Sequence, residues 1–310
     1  MQKMELILDS GAFTSYKQGV IIDIDTYIEF VKKYEKYLYA YINLDVMDDK
    51  DGSESYANWL YIKSKGLNPL PVYHPHADIK YLELYMEKEK YICIGGIASL
   101  NTEVQIKFFD RLWPDYLVDK EGYPKLKVHG LGLTALSVLL RYPWWSVDST
   151  TWLVAGRFGS IYVPKKINGR YDYSVLPWLI SVSTRSPSQQ EETFHINTLA
   201  PIEQKLIMQY ISEQGYVLGK SEFKEVDLNY SLVGDERWMN DFSVVEGISS
   251  KIHTLENVRI VEKIIERGLG NDHIVRDSFN FLYFQALEKS LPTWPWAYKP
   301  KKKIQTLGLI

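Results

Sequence analysis

The stretch ELILDS (5–10) decides how the chain is read. Leu6, Ile7 and Leu8 run straight into Asp9, and Gly11 follows two positions later. An apolar run bounded by turn residues reads as a buried strand. Seven later stretches have the same form: LYAYINLDV (38–46), NPLPVYH (68–74), YICIGGI (91–97), KLKVHGLG (125–132), PWWSVDS (143–149), GSIYVP (159–164) and PWLISVST (177–184). Between them lie segments with apolar residues at helical spacing: 23–37, 55–66, 78–90, 101–114 and 132–143. Asp25 is the expected cap of the first of these helices. Alternating strands and helices imply a parallel sheet. Eight candidate strands predict an α/β fold of the (β/α)8 TIM type, with an open doubly wound sheet as the runner-up.

The pattern changes near residue 190. Segments 197–216, 253–268 and 275–291 all read as amphipathic helices. The expected organisation is a barrel over 1–190 and a helical C-terminal extension over 191–310.

Polar residues recur where the strands stop. Asp9, Asp45, His74 and His76, the pair Gly95–Gly96, His129–Gly130 and Asp148 end successive strands. In a parallel barrel those ends share one rim, where barrel active sites sit. A strand-end aspartate is ordinarily a turn or helix cap, and Asp148 could cap the helix opening at STTW. Three aspartates and three histidines at one set of ends are more than capping requires.

Composition narrows the class. The chain has 310 residues, 45% apolar and 24% charged, as in globular proteins. No apolar run approaches the ~20 residues of a membrane span, so no membrane partner is expected. The N-terminal run breaks at Asp9, too early for a secretory signal, and a cytoplasmic location is expected. Cys93 is the single cysteine, which excludes a disulfide framework and a cysteine-rich zinc site. The net charge of −3 lacks the general basicity of many nucleic-acid binders, leaving only local basic patches.

In order along the chain, LDSGAF (8–13) resembles the DSGG-aromatic signature of the tRNA-guanine transglycosylase superfamily. NLDV (43–46) resembles its second acidic strand end, and ICIGGIAS (92–99) its GGLAVGE segment. VHGLGLT (128–134) resembles its LMGVG segment, and WSVDSTTW (145–152) the segment with its nucleophilic aspartate. The resemblance covers roughly 5–155. It implies a TIM-type barrel that exchanges guanine in a nucleic acid for a 7-deazaguanine base, without a cofactor. The tRNA enzymes carry a zinc site of three cysteines and a histidine, which a chain with one cysteine cannot build. The form is closer to the phage and bacterial branch that modifies DNA, so DNA is favoured over tRNA.

The resemblance assigns the nucleophile to Asp148 and the proton-transferring carboxylate to Asp9. Asp45 would read the Watson–Crick edge of the base. Ser10, Gly11, Phe13, His74, Gly95, Gly96, His129 and Gly130 would complete the substrate site. Lys165, Lys166 and Arg170 in VPKKINGRYDY (163–173), Arg185 in STRSPS (183–188) and the run KPKKK (299–303) are candidates for a phosphate track. Trp144, Trp145 and Trp152 could flank a flipped base or simply pack the fold. Two other readings compete. HPH (74–76) with His129 and a strand-end aspartate could hold the metal of a hydrolase. The same rim could also bind a nucleobase without turning it over.

Overall fold

The computed structural model describes residues 5–133, 135–185, 195–239 and 258–300. The chain is mixed α/β and divides into two compact units, Met1–Ser149 with Pro292–Ile310, and Thr150–Leu291. The chain therefore parts at 149/150, where strand β6 has just ended, and its last segment rejoins the first unit; the sequence reading placed the change near 190. No helix among the described residues is long and apolar enough to cross a membrane.

The first unit alternates as its sequence pattern predicts. Its elements are β1 (Ile7–Leu8), α1 (Ala12–Gln18), α2 (Ile24–Tyr34), β2 (Ala40–Tyr41), α3 (Ser53–Ser64), β3 (Val72–Tyr73), α4 (Ile79–Lys88), β4 (Tyr91–Ile94), α5 (Thr102–Leu112), β5 (Lys127–Gly130), α6 (Leu136–Leu139) and β6 (Ser146–Val147). β1 pairs with β2, and β3, β4, β5 and β6 follow in order, all parallel. A parallel bridge between Ile42 and Leu70 joins the two ladders. Six strands thus run side by side in chain order, and their C-terminal ends lie on one edge. A closed barrel is not shown.

Local chemistry explains the helices. α2 buries Tyr27, Ile28 and Val31 and turns Lys32 and Lys33 outward. Its cap is Asp23 rather than Asp25: the Asp23 carboxylate accepts from the Thr26 amide at 2.8 Å. Asp78 and Asn101 cap α4 and α5 in the same manner. An aromatic core of Trp59, Tyr85, Phe109, Trp113, Tyr142 and Trp144 packs behind the sheet. Tyr298, from the rejoining segment, stacks on Tyr142 and donates to Asp110 at 3.1 Å.

The second unit contains α7 (Thr151–Arg157), β7 (Ser160–Val163), β8 (Lys165–Ile167), β9 (Arg170–Asp172), β10 (Trp178–Ser181), α8 (Pro201–Glu213), β11 (Lys220–Asp227), β12 (Glu236–Trp238), β13 (Val258–Glu266) and α9 (His273–Ser290). β7 and β10, expected as the last two parallel strands, pair antiparallel with each other. The extension expected to be helical does hold α8 and α9 within or close to two of the expected segments, but it also holds an antiparallel sheet in the order β11-β13-β12. Of the segment expected as a helix, 253–268, residues 253–257 lie outside the described residues and 258–266 form β13. Five of the nine residues in VRIVEKIIE are β-branched, which disfavours helix, and both edges of the strand find partners.

Candidate active site

The parallel order delivers the strand-end residues of the first unit to one edge. Asp9 follows β1, Asp45 lies beyond β2, His74 follows β3, and Gly95 and Gly96 follow β4; His129 and Gly130 end β5, and Asp148 follows β6. The register sets Cys93, His129 and Ser146 side by side on neighbouring strands. Three carboxylates converge electrostatically above that row. The buried Cys93 thiol is pushed up, first by burial and then by the charges of Asp45, Asp148 and Asp9.

The Asp9 carboxyl is altered by its surroundings. It stays solvent-accessible, yet its pKa lies above the ordinary aspartate value. Desolvation by the surrounding edge is the first cause, and the negative charges of Asp45 and Asp148 add to it. The amides of Gly11 and Ser10 pull the other way. Gly11 has φ of +78°, which lets the chain leave β1 and enter α1 immediately beyond the carboxylate.

Asp45 is buried and already engaged. Its Oδ2 lies 2.8 Å from His74 Nε2, and its Oδ1 accepts from the Ser10 hydroxyl at 3.4 Å. Ser10 also accepts from the Ala12 amide at 3.3 Å, so one hydroxyl ties the Asp45 carboxylate to the start of α1. Gly95 serves this pair. A Cβ there would stand 2.7 Å from Val72 Cγ1 and 2.9 Å from His74 Nε2, so the missing side chain makes room for the imidazole. The space that sequence reading gave to a flat ligand at Gly95 is therefore occupied by His74. The His76 ring packs against that of His74 with centroids 5.4 Å apart, and its Nε2 lies 2.7 Å from the Asp49 carbonyl.

Asp148 does not act as a side-chain cap for α7. Its Oδ1 accepts from the Gly132 amide at 2.5 Å and lies 3.7 Å from His129 Nε2, while the side chain stays 54% exposed. His129 is buried, and burial pulls its pKa down against the raising effect of Asp148. Behind it, His129 Nδ1 lies 2.7 Å from Ser146 Oγ, which lies 2.6 Å from the Tyr91 hydroxyl. Sequence reading missed Tyr91, Gly132 and Ser146. Ser146 sits two residues from Asp148 and was open to notice, whereas nothing in the sequence marks Tyr91.

Phe13 lies on α1, exposed, with Lys17 Nζ 4.3 Å from its ring centroid. Of the three tryptophans, Trp144 is buried in the aromatic core, Trp145 is exposed beneath Lys127 Nζ at 3.7 Å, and Trp152 packs on Phe281. Lys165 and Lys166 stand on β8 and Arg170 on β9, in the second unit, with Lys166 and Arg170 exposed. Arg185 is part-buried and donates to the Trp238 carbonyl at 2.8 Å, so its guanidinium is committed within its own unit. Residues 186–188 of STRSPS and 301–303 of KPKKK lie outside the described residues.

Comparison with family models, curated proteins and solved structures finds no match to this chain. Among the described residues, no group of three His, Cys, Asp or Glu side chains is arranged to hold a metal ion.

Proposed function

We propose that the chain is a base-exchanging glycosyltransferase acting on a nucleic acid, with DNA favoured over tRNA. The observation that carries this reading is the contrast between two carboxyls on one sheet edge. Asp148 is anchored through one oxygen and open to solvent, while the pKa of Asp9 is raised by desolvation and by its acidic neighbours. Two carboxyls set apart by their surroundings suit a division between nucleophile and proton carrier.

In the first displacement, an Asp148 oxygen forms a bond to C1′ of the target nucleotide as the C1′–N9 bond to guanine breaks. The protonated fraction of Asp9, which its raised pKa enlarges, gives its proton to the departing base. In the second, the N9–H of an incoming 7-deazaguanine passes its proton to Asp9, N9 bonds to C1′, and the ester to Asp148 breaks. Configuration at C1′ is retained. Asp45 keeps lone pairs for the base edge, held in place by His74 and Ser10. Closure of the six parallel strands into a barrel, a phosphate track on Lys165, Lys166 and Arg170, and a cytoplasmic location belong to this proposal. The inability of a single cysteine to form the zinc site of the tRNA enzymes supports DNA.

The test is incorporation of radiolabelled guanine, and separately of a 7-deazaguanine, into DNA and tRNA side by side. The expected result is incorporation into DNA that disappears in Asp148→Ala. Incorporation into tRNA alone would overturn the substrate assignment. Absence from both polymers, with folded protein, would overturn the reaction and leave nucleobase binding to be measured directly.

A further inference from the structure

The chain Tyr91–Ser146–His129–Asp148 crosses three adjacent parallel strands, β4, β5 and β6, and ends at the proposed nucleophile. A hydroxyl pair and an imidazole can pass hydrogen bonds along such a row in either direction. In one arrangement, Tyr91 donates to Ser146 Oγ, Ser146 donates to His129 Nδ1, and the ring proton sits on Nε2. In the other, Nδ1–H donates to Ser146 and Ser146 donates to Tyr91, leaving a bare lone pair on Nε2. Asp148 Oδ1 is the group 3.7 Å beyond Nε2. An N–H facing a carboxylate is attractive, and a lone pair facing it is repulsive.

We infer that Tyr91 and Ser146 are positioning residues that fix His129 as the neutral Nε2–H tautomer. His129 then directs its proton at Asp148 Oδ1 and leaves Oδ2 as the attacking oxygen. Two facts about the ends of the row agree with this direction. Burial pushes the Tyr91 phenol above its ordinary value, so it keeps the proton it must donate. Burial also pulls the His129 imidazole down, so the ring carries one proton rather than two. At the far end, the Gly132 amide donates to the same Oδ1 at 2.5 Å. Both anchors thus converge on one oxygen, and among the described residues no hydrogen bond to Oδ2 occupies the other. A carboxylate pinned at one oxygen loses its rotational freedom before the sugar arrives, which favours attack along one line. The 3.7 Å separation is longer than a hydrogen bond, so His129 acts on Asp148 through its electrostatic field.

The kinetic consequence rests on the base-exchange reading; the tautomer does not, and the two are measured apart. The first measurement is nitrogen NMR of the 15N-labelled full chain near neutral pH, with His129 assigned by the loss of its signals in His129→Gln. The expected wild-type spectrum shows an unprotonated Nδ1 and a protonated Nε2. Ser146→Ala and the near-isosteric Tyr91→Phe should each move both signals toward a mixture of tautomers, and Ser146→Thr should restore the wild-type pattern. A wild-type ring protonated on Nδ1 would overturn the inference, as would a tautomer unchanged in both Ser146→Ala and Tyr91→Phe. In the exchange assay, Ser146→Ala should lower kcat about tenfold, the size of one lost positioning interaction, with KM little changed. A fall confined to KM would also overturn it. An Nε2–H tautomer that responds to the variants as expected, in a protein that exchanges no base, would leave the relay standing and remove only the base-exchange reading.

Discussion

His74 Nε2 stands 2.8 Å from Asp45 Oδ2, with both side chains buried, at the ends of neighbouring parallel strands. The pair shows how one strand end constrains the next. His74 fixes the Asp45 carboxylate, and the bare backbone at Gly95 admits the His74 ring. His74→Ala would leave a buried carboxylate without its nearest partner, costing about 1–3 kcal/mol. The urea unfolding midpoint should fall accordingly. An unchanged midpoint would show that Asp45 finds another donor.

Gly95→Ala tests the same packing from the other side. The added methyl meets Val72 Cγ1 and His74 Nε2 within 3 Å, so the imidazole or the strand must move. Overpacking of this kind costs about 1–3 kcal/mol. Base binding should weaken together with stability, because the carboxylate expected to read the base loses its support. Thermal unfolding and equilibrium binding of guanine, measured on one preparation, check both effects.

Asp9 gives a pH-dependent prediction. Its folded-state pKa is raised, by desolvation first and by Asp45 and Asp148 next. A carboxyl raised on folding favours its protonated form in the native state. Its contribution to stability is therefore full below the ordinary value of 3.8 and is lost as pH rises through the folded pKa. Asp9→Asn removes that loss. The variant should therefore melt higher than wild type at neutral pH. The difference should vanish as pH falls below 3.8. Base exchange should be lost in the same variant at every pH, because the amide carries no transferable proton.

The β8–β9 hairpin gives a prediction about the polymer. Lys166 and Arg170 are exposed there, whereas Arg185 is tied to the Trp238 carbonyl. Lys166→Ala and Arg170→Ala should each weaken binding to single-stranded DNA. Each should also reduce the slope of log K against log salt by ~0.7, the share of one phosphate contact. Arg185→Ala should leave that slope unchanged and lower stability instead. Equal slopes for all three variants would remove the hairpin from the phosphate track.

Much of the first unit was legible because its signals are local. An apolar run ending at a carboxylate or glycine marks a strand, and all six stretches expected in that unit contain one, as do the two beyond it. Caps were less legible. Asp23 and Asp25 are alike in sequence, and only the turn geometry selects the one whose carboxylate reaches the Thr26 amide. The acidic stretch DVMDDKDG offered several carboxylates of equal standing. Asp49 proved to organise the start of α3, accepting from the amides of Gly52 at 3.0 Å and Ser55 at 2.8 Å.

The sequence alone determined the alternation of strands and helices in the first unit and the strand-end positions of Asp9, Asp45 and Asp148. Both follow from neighbours a few residues apart, through side-chain periodicity and turn chemistry. Only the tertiary structure decided that VRIVEKIIE is a strand, since that choice depends on two partner strands distant in sequence. It alone decided that Tyr91, 55 residues from Ser146, stands behind the imidazole facing Asp148. A hydrogen bond between strands depends on register, and register is set by the packing of the whole sheet.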